Sequence, residues 1–457
     1  MTVSIVGTTT MFGVKANRVG AAALALLAAA GAALAQDAPV PALPPHLAEL
    51  KLNSGDTSWM LISTALVLLM TIPGLALFYA GMVRKKNILA TAAQSFAITA
   101  IITVLWAVIG YSLAFTNGGV NQPYIGGLDR ILLDGMKNGV AHALAPTIPE
   151  SVFMTFQMTF AIITPALICG AFADRMKFSA LIAFMSLWLI LVYAPIAHWV
   201  WGGGFLGSLG VLDFAGGTVV HFNAGIAGLV CTLVLGKRTG YGSEEMSPFN
   251  LLYALTGASL LWVGWFGFNA GSAVAANELA GIAMANTQIA AAAATASWML
   301  IEWLVARKPS VLGLLSGAVA GLVAITPAAG FVAPSGALVI GLTAGVICYL
   351  GAVWLKRIFG YDDSLDAFGI HGIGGAVGAI LTGVFALSSV NSLGKGLIDG
   401  NPDQVTTQLV GLGYAGVYCA VATYLILMVV SVTLGLRVSP EEEMEGLDLS
   451  QHGERVH

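Results

Sequence analysis

The chain has 457 residues, of which 57% are hydrophobic and only 9% charged, with a formal net charge of −4. A soluble domain carries about 25% charged residues, so a water-solvated fold is excluded and the apolar runs belong to one membrane domain. No basic patch interleaved with aromatic residues is present, and nucleic acid is not an expected partner.

The first 35 residues read as a secretory signal peptide: Lys15 and Arg18 precede an apolar run from Ala21 to Leu34, closed by the small-residue site Ala33-Leu34-Ala35. The alternative is an uncleaved first helix, for which the apolar run is short. Residues 36–56, Pro-rich at their start, then form an exported N-terminal linker. A span needs about 20 mainly apolar residues. That ruler predicts eleven transmembrane helices, at about 57–83, 88–115, 151–172, 178–200, 217–236, 250–270, 281–305, 311–329, 335–355, 367–388 and 410–435. The membrane domain covers 57–436, and an acidic tail covers 437–457. The four cysteines (Cys169, Cys231, Cys348 and Cys419) sit inside apolar runs without a CxxC pair. Neither a disulfide framework nor a zinc site is expected, and they read as small helix-packing residues.

Lys and Arg accumulate on the cytoplasmic side of membrane proteins. Here they follow the odd-numbered spans: Arg84, Lys85 and Lys86, then Arg175 and Lys177, Lys237 and Arg238, Arg307 and Lys308, Lys356 and Arg357, and Arg437. The opposite loops hold only Arg130, Lys137 and Lys395. The mature N-terminus is therefore expected outside and the tail inside, in agreement with a cleaved signal peptide. For a bacterium that is the inner membrane.

The sequence contains an internal match. Asp213-Phe-Ala-Gly-Gly-Thr-Val-Val-His221 aligns with Asp363-Ser-Leu-Asp-Ala-Phe-Gly-Ile-His371, and each continues as His-x-x-x-Gly-x-x-Gly through Gly225 and Gly228 or Gly375 and Gly378. Gly74 to Gly81 and Gly264 to Gly271 also match, as Gly-x-x-x-Phe-x-Ala-Gly. These motifs lie in spans five and ten and in spans one and six. Five helices per unit predicts two inverted repeats plus a final helix, an arrangement typical of transporters. Each histidine shares its helix face with two glycines, at i+4 and i+7. Small residues let helices approach closely in lipid, so the two faces are expected to bring His221 and His371 together at mid-membrane. A lone intramembrane histidine can be a satisfied core residue, and a pair can ligate haem. Matched positions weigh against the first reading, and Gly-flanked close packing leaves no room for the macrocycle of the second. His198, before Trp199 at a span end, reads as interfacial.

Over almost its full length after the signal peptide, the chain resembles bacterial ammonium transporters of the Amt/Rh family. The resemblance is carried by the two histidine motifs, by Gly264-Trp-Phe-Gly-Phe-Asn-Ala-Gly-Ser272, by Asp362-Asp363, and by the tail from Gly435 to Glu454. It implies a periplasmic recruitment site at Phe160, Trp201 and Ser272, with Asp213 beside it. It implies a gate of stacked rings at Phe160 and Phe268, with Phe156 close by, and a pore lined by His221 and His371. Trp265, Asn269, Thr326 and Tyr193 fall at matching positions as auxiliary residues. The resemblance also implies a homotrimer, ammonium or ammonia as substrate with methylammonium as analogue, and a PII-type signalling protein docking at the cytoplasmic face. No enzyme activity, cofactor or metal is implied.

The residue types suit the task. An ammonium-sized ion costs on the order of 20 kcal/mol to bring into a low-dielectric interior, whereas a cation–π contact returns about 0.5–2 kcal/mol. Rings can therefore hold the ion at a wet entrance and cannot carry it through. Each pKa unit is about 1.4 kcal/mol, so removing a proton is the cheaper route, and the expected cargo is ammonia with separate proton transfer. A sensor (transceptor) signalling through PII and an electroneutral ammonia gas channel are the alternatives. Asp213 has a second reading as a cap for the span beginning near Gly217. Most of the aromatic residues read equally as interfacial belt and packing, and the tail by composition alone as a solvated end.

Overall fold

The computed structural model describes residues 45–456, so the predicted signal peptide and the start of the predicted linker lie outside the described residues. Ten described helices are long and apolar enough to cross a membrane. They are α1 (Ser54–Met82), α2 (Lys85–Phe115), α3 (Glu150–Phe172), α4 (Phe178–Ser208), α5 (Gly217–Leu235), α6 (Leu251–Gly271), α7 (Glu278–Ala306), α9 (Pro334–Phe359), α10 (Phe368–Phe385) and α11 (Asp403–Thr433). Without water to bond backbone groups, helices satisfy each N–H and C=O within the segment. Between α7 and α9 lies the shorter apolar α8 (Val311–Ile325). The sequence predicts it out to 329, but the helix ends at Ile325: Thr326 still has helical dihedrals, and Pro327, which has no N–H to donate, follows it. Its 15 residues reach about 22 Å, and all but three are buried among the other helices.

Several helices begin on a polar side chain that accepts an otherwise orphaned backbone N–H. Asn53 accepts from Asp56 N at 3.1 Å, Asn250 from Leu252 N at 2.9 Å, Asn277 from Ala280 N at 3.1 Å, and Ser310 from Gly313 N at 2.9 Å. α1 and α6 cross with backbones in contact. A Cβ at Gly257 would lie 2.2 Å from Phe78 N, and one at Gly81 would lie 2.4 Å from Ala254 N.

One face of the bundle carries a two-stranded antiparallel sheet, β1 (Leu47–Glu49) on β2 (Val140–His142), with Leu47 opposite His142. The last part of the predicted linker is therefore folded, because it pairs with the loop after α2. Beneath it, Arg130 and Glu150 form a buried ion pair at 2.9 Å, and Tyr111 donates to the same carboxylate at 3.1 Å. His198, expected at the interface, is instead fully buried. Its ring nitrogens lie 2.9 Å from Ala114 O, in the last turn of α2, and 2.8 Å from Gln122 O, in the loop that follows.

The tail occupies the opposite face and is packed, which removes the reading as a solvated end. α12 (Pro440–Glu445) starts on a capping box in which Ser439 and Glu442 bond each other's backbone N–H. α13 (Leu447–His452) follows. Glu443 is buried and accepts from Arg437 at 2.7 Å and from Thr239 N at 2.7 Å. Ala90 N donates to Asp448 at 2.8 Å. Around this seam Arg84 pairs with Asp174 at 3.1 Å, and Arg238 pairs with Asp362 at 2.8 Å. Burial pushes the Asp362 carboxyl up, but the bonds and charge of Arg238 win and hold it below its ordinary value.

On the sheet face, His142 donates through Nε2 to Phe115 O at 2.9 Å and accepts Leu144 N at 3.2 Å. Burial pushes its pKa down from 6.5 to about 4, with His46 and Arg130 acting the same way and Glu150 and the bond to Phe115 opposing. A neutral form favoured by folding gives stability that is present above pH 6.5 and lost as pH falls towards about 4. Amide exchange in β1 and β2, corrected for intrinsic rates, is therefore expected to accelerate between pH 7 and pH 5. Equal protection at both would contradict the assignment.

Candidate functional site

The two histidine segments are built alike. His221 lies in a π-helical turn, Gly217–Phe222, and His371 in another, Phe368–Gly372, and each turn runs on into a 13-residue α-helix. Such widened turns are frequent at functional sites. Each turn is held from its N-terminal side by the matched aspartate. Asp213 accepts four backbone N–H groups, from Gly216 at 2.8 Å, Gly217 at 2.6 Å, Thr218 at 2.9 Å and Val219 at 3.0 Å. Asp363 accepts from Ala367 at 3.0 Å and from Phe368 at 2.8 Å. Burial pushes both carboxyls above their ordinary value, Asp363 to about 6, while these N–H groups pull the other way.

The glycines then set the distance between the turns. A Cβ at Gly225 would lie 2.1 Å from Gly372 N, and one at Gly375 would lie 2.7 Å from Gly217 O. Each histidine's i+4 glycine thus receives the backbone of the other histidine's turn. The imidazoles meet as the spacing predicts: His221 Nδ1 and His371 Nδ1 are 3.3 Å apart, with ring centroids 5.3 Å apart. One Nδ1–H donates and the other Nδ1 accepts, so the pair can be neutral. Direct contact leaves no gap for a haem between them. The buried Nε2 of His221 has no hydrogen-bond partner among the described residues.

A continuous run of rings leads from this pair to a cavity of about 360 Å³. Phe268 lies 5.7 Å from His221, Phe160 lies 4.3 Å from Phe268, and the indole of Trp201 stands edge-on to Phe160 at 6.0 Å. Phe156 backs Phe160 at 4.9 Å. Phe160 and Phe268 are both buried; Phe160 lines the cavity and Phe268 lies behind it. Trp201, Asp213 and Ser272 line its wall together with Phe160. Trp201 Nε1 donates to Asp213 O at 2.9 Å, and Ser272 Oγ donates to Phe268 O at 2.8 Å, which leaves the serine oxygen free to accept.

Beside the pair, Trp265 stacks on His221 at 5.2 Å and donates to Thr326 Oγ1 at 2.9 Å, which orients the indole. Asn269 and Tyr193 are not brought into the run of rings. Asn269 turns its amide to Thr287 at 2.9 Å, and Tyr193 packs on Trp106 at 6.2 Å. Sequence reasoning passed over Gln157, which lines the cavity one helical turn before Phe160. Its signal was available: it is a polar side chain inside a predicted span, the same criterion that singles out the histidines.

Fold and site together define a polytopic helical membrane protein with a cavity that leads through aromatic rings to paired imidazoles. Residues 58–457 match the profile of the Ammonium Transporter Family. The ammonium transporter of Bacillus subtilis is 51% identical over 407 residues, which cover 89% of this chain and 99% of that one. The solved structure of Saccharomyces cerevisiae Mep2 matches with a TM-score of 0.80 at 36% identity, covering 86% of this chain and 89% of that one. A solved sensor Amt protein matches with a TM-score of 0.80 at 28% identity, over 87% of this chain and 98% of that one. The chain belongs to the ammonium transporter family.

Gly225→Ala is expected to force the two turns apart, since its Cβ has no room beside Gly372. Overpacking of this kind costs about 1–3 kcal/mol. Thermal unfolding of the purified protein in detergent should shift down by several degrees, whereas Gly413→Ala, inside a helix and with nothing within 4 Å of the added carbon, should leave it unchanged or raise it slightly. Equal behaviour of the two variants would mean that the contact does not constrain the fold.

Proposed function

We propose that the protein takes up ammonium at the sheet face, strips a proton from it, and conducts ammonia past the imidazole pair, with the proton transferred separately. The observation that carries this reading is the unbroken run from the cavity through Trp201, Phe160 and Phe268 to His221 and His371. Each part meets a different physical demand. Trp201 and Phe160 offer ring faces and edges at a cavity wide enough for a hydrated ion, and Ser272 offers an acceptor oxygen. Phe268 and Phe160 block the ion below that point, where desolvation exceeds anything a ring returns. The neutral imidazole pair contacts ammonia through hydrogen bonds without placing a charge in the pore, and its shared Nδ1 proton makes it a candidate relay.

Asp213 acts on this site at one remove. With both oxygens committed to four N–H groups, it orients the turn that carries His221 and the carbonyl that holds Trp201, and it does not ligand ammonium directly.

The same reading gives the protein eleven spans, with α8 as the short buried member, arranged as two five-helix units of opposite orientation followed by α11. The reciprocal glycine contacts and the matched aspartate caps support that pairing. The sheet face is periplasmic, the tail face cytoplasmic, and the membrane the bacterial inner membrane, after removal of residues 1–35. The assembly is a homotrimer with one pore per subunit. The packed tail, together with the loops bearing Arg84, Arg175 and Arg238, forms the surface for a PII-type protein. The likeness to a sensor Amt protein favours one second reading, in which occupancy of the same site is reported through the tail.

The test is methylammonium uptake and potassium leak in proteoliposomes. Wild type should take up methylammonium and retain potassium. His371→Glu and His221→Asp place a carboxylate where a neutral pair stood, and both should leak potassium well above empty liposomes. Complete exclusion of potassium by both variants would contradict the selectivity role of the pair.

A further inference from the structure

An ammonium ion presents four N–H bonds, and each one it strips of water in the cavity requires an acceptor. The polar side chains lining the cavity are Gln157, Trp201, Asp213, Ser272 and Asn391. The Trp201 indole is a donor only and is spent on Asp213 O. The Asp213 carboxylate is filled by backbone N–H groups. Asn391 is buried and its Oδ1 accepts Leu393 N at 3.1 Å. Ser272 retains acceptor capacity because its one proton is donated to Phe268 O. Gln157 lines the cavity and makes no hydrogen bond to any described residue, so its amide, oxygen included, is uncommitted there.

Its place on α3 is equally specific. Phe153, Gln157 and Phe160 all line the cavity, as residues at i, i+4 and i+7 share one helix face. Gln157 lies three positions before Phe160, a rise of about 4.5 Å along the helix. The amide therefore stands one turn on the wet side of the ring that closes the pore.

We infer that Gln157 is a specificity-determining residue of the recruitment site: its Oε1 accepts one N–H of the bound ammonium or primary alkylammonium ion, opposite the acceptor supplied by Ser272. Two oxygens and two aromatic faces then provide for all four directions of the ion. The oxygen pair rewards a directional donor, which a spherical alkali cation of similar size lacks. The inference rests on the transport reading above and adds to it the second oxygen acceptor.

The experiment is the concentration dependence of radiolabelled methylammonium uptake in proteoliposomes for wild type, Gln157→Leu and Gln157→Glu. Uptake reads flux whether or not charge moves. Loss of one charge-assisted hydrogen bond corresponds to about a tenfold rise in KM. Gln157→Leu should show that rise with a much smaller change in maximal rate. Gln157→Glu keeps an acceptor oxygen in the same place and should return KM to within about threefold of wild type or below it. An unchanged KM in Gln157→Leu would overturn the assignment. So would a fall in maximal rate alone, or equal defects in both variants, which mark a packing role. Absence of uptake by wild type would instead defeat the transport reading itself.

Discussion

The contact between the two histidine-bearing turns is the constraint on which the rest of the structure depends. Gly225 meets the backbone of Gly372 and Gly375 meets that of Gly217, so each turn is seated in a notch left by the other's missing side chain. Dispersion and close approach hold helices together where lipid gives no hydrophobic advantage. Here they also fix the imidazoles at hydrogen-bonding distance, with Nδ1 to Nδ1 of 3.3 Å. A side chain placed by two helix backbones is more rigidly held than one placed on a loop, and the proposed rejection of ions along a narrow track needs that rigidity.

Widening each helix into a π turn frees backbone groups that a membrane interior cannot hydrate, and the matched aspartates answer that demand. Asp213 takes up four N–H groups and Asp363 two. The histidines can then sit at the lip of a helix without orphaned amides around them. The charges are kept at the helix ends: on the tail face, Asp363 is preceded by Asp362, which is tied to Arg238, and Thr239 is tied to Glu443 of the tail. The tail is therefore joined to the segment that caps the His371 turn through adjoining polar contacts.

Much of this was legible in the sequence, for identifiable reasons. Apolar runs marked the ten long helices, most to within four residues, although α4 runs on to Ser208 and α11 begins seven residues earlier than the apolar run, at Asp403. The His-x-x-x-Gly-x-x-Gly spacing set the histidine contact because face-sharing follows from helix geometry alone. Asp213 as a cap was legible from its place just before a span. What was not legible depended on partners far away in the chain. The burial of His198 rests on carbonyls at Ala114, in the last turn of α2, and at Gln122, in a loop without a sequence signature. The folding of residues 47–49 rests on a three-residue partner strand at 140–142. The packing of the tail was partly available, since Ser439 and Glu442 spell a capping box, but its seat on Asn87, Ala90 and Thr239 was not. Asn269 and Tyr193, matched only as auxiliary positions, are both buried and lie outside the run of rings, so position alone gives them no role.

The central claim is that this track selects ammonium over alkali cations and moves charge while passing a neutral molecule. Solid-supported-membrane electrophysiology on purified protein in liposomes tests it most directly, with ammonium and potassium pulses of equal concentration. A transient current with ammonium and none with potassium is the predicted result. A potassium current of equal size would contradict selection at the rings. An ammonium pulse that raised internal pH without current would contradict the separate transfer of the proton.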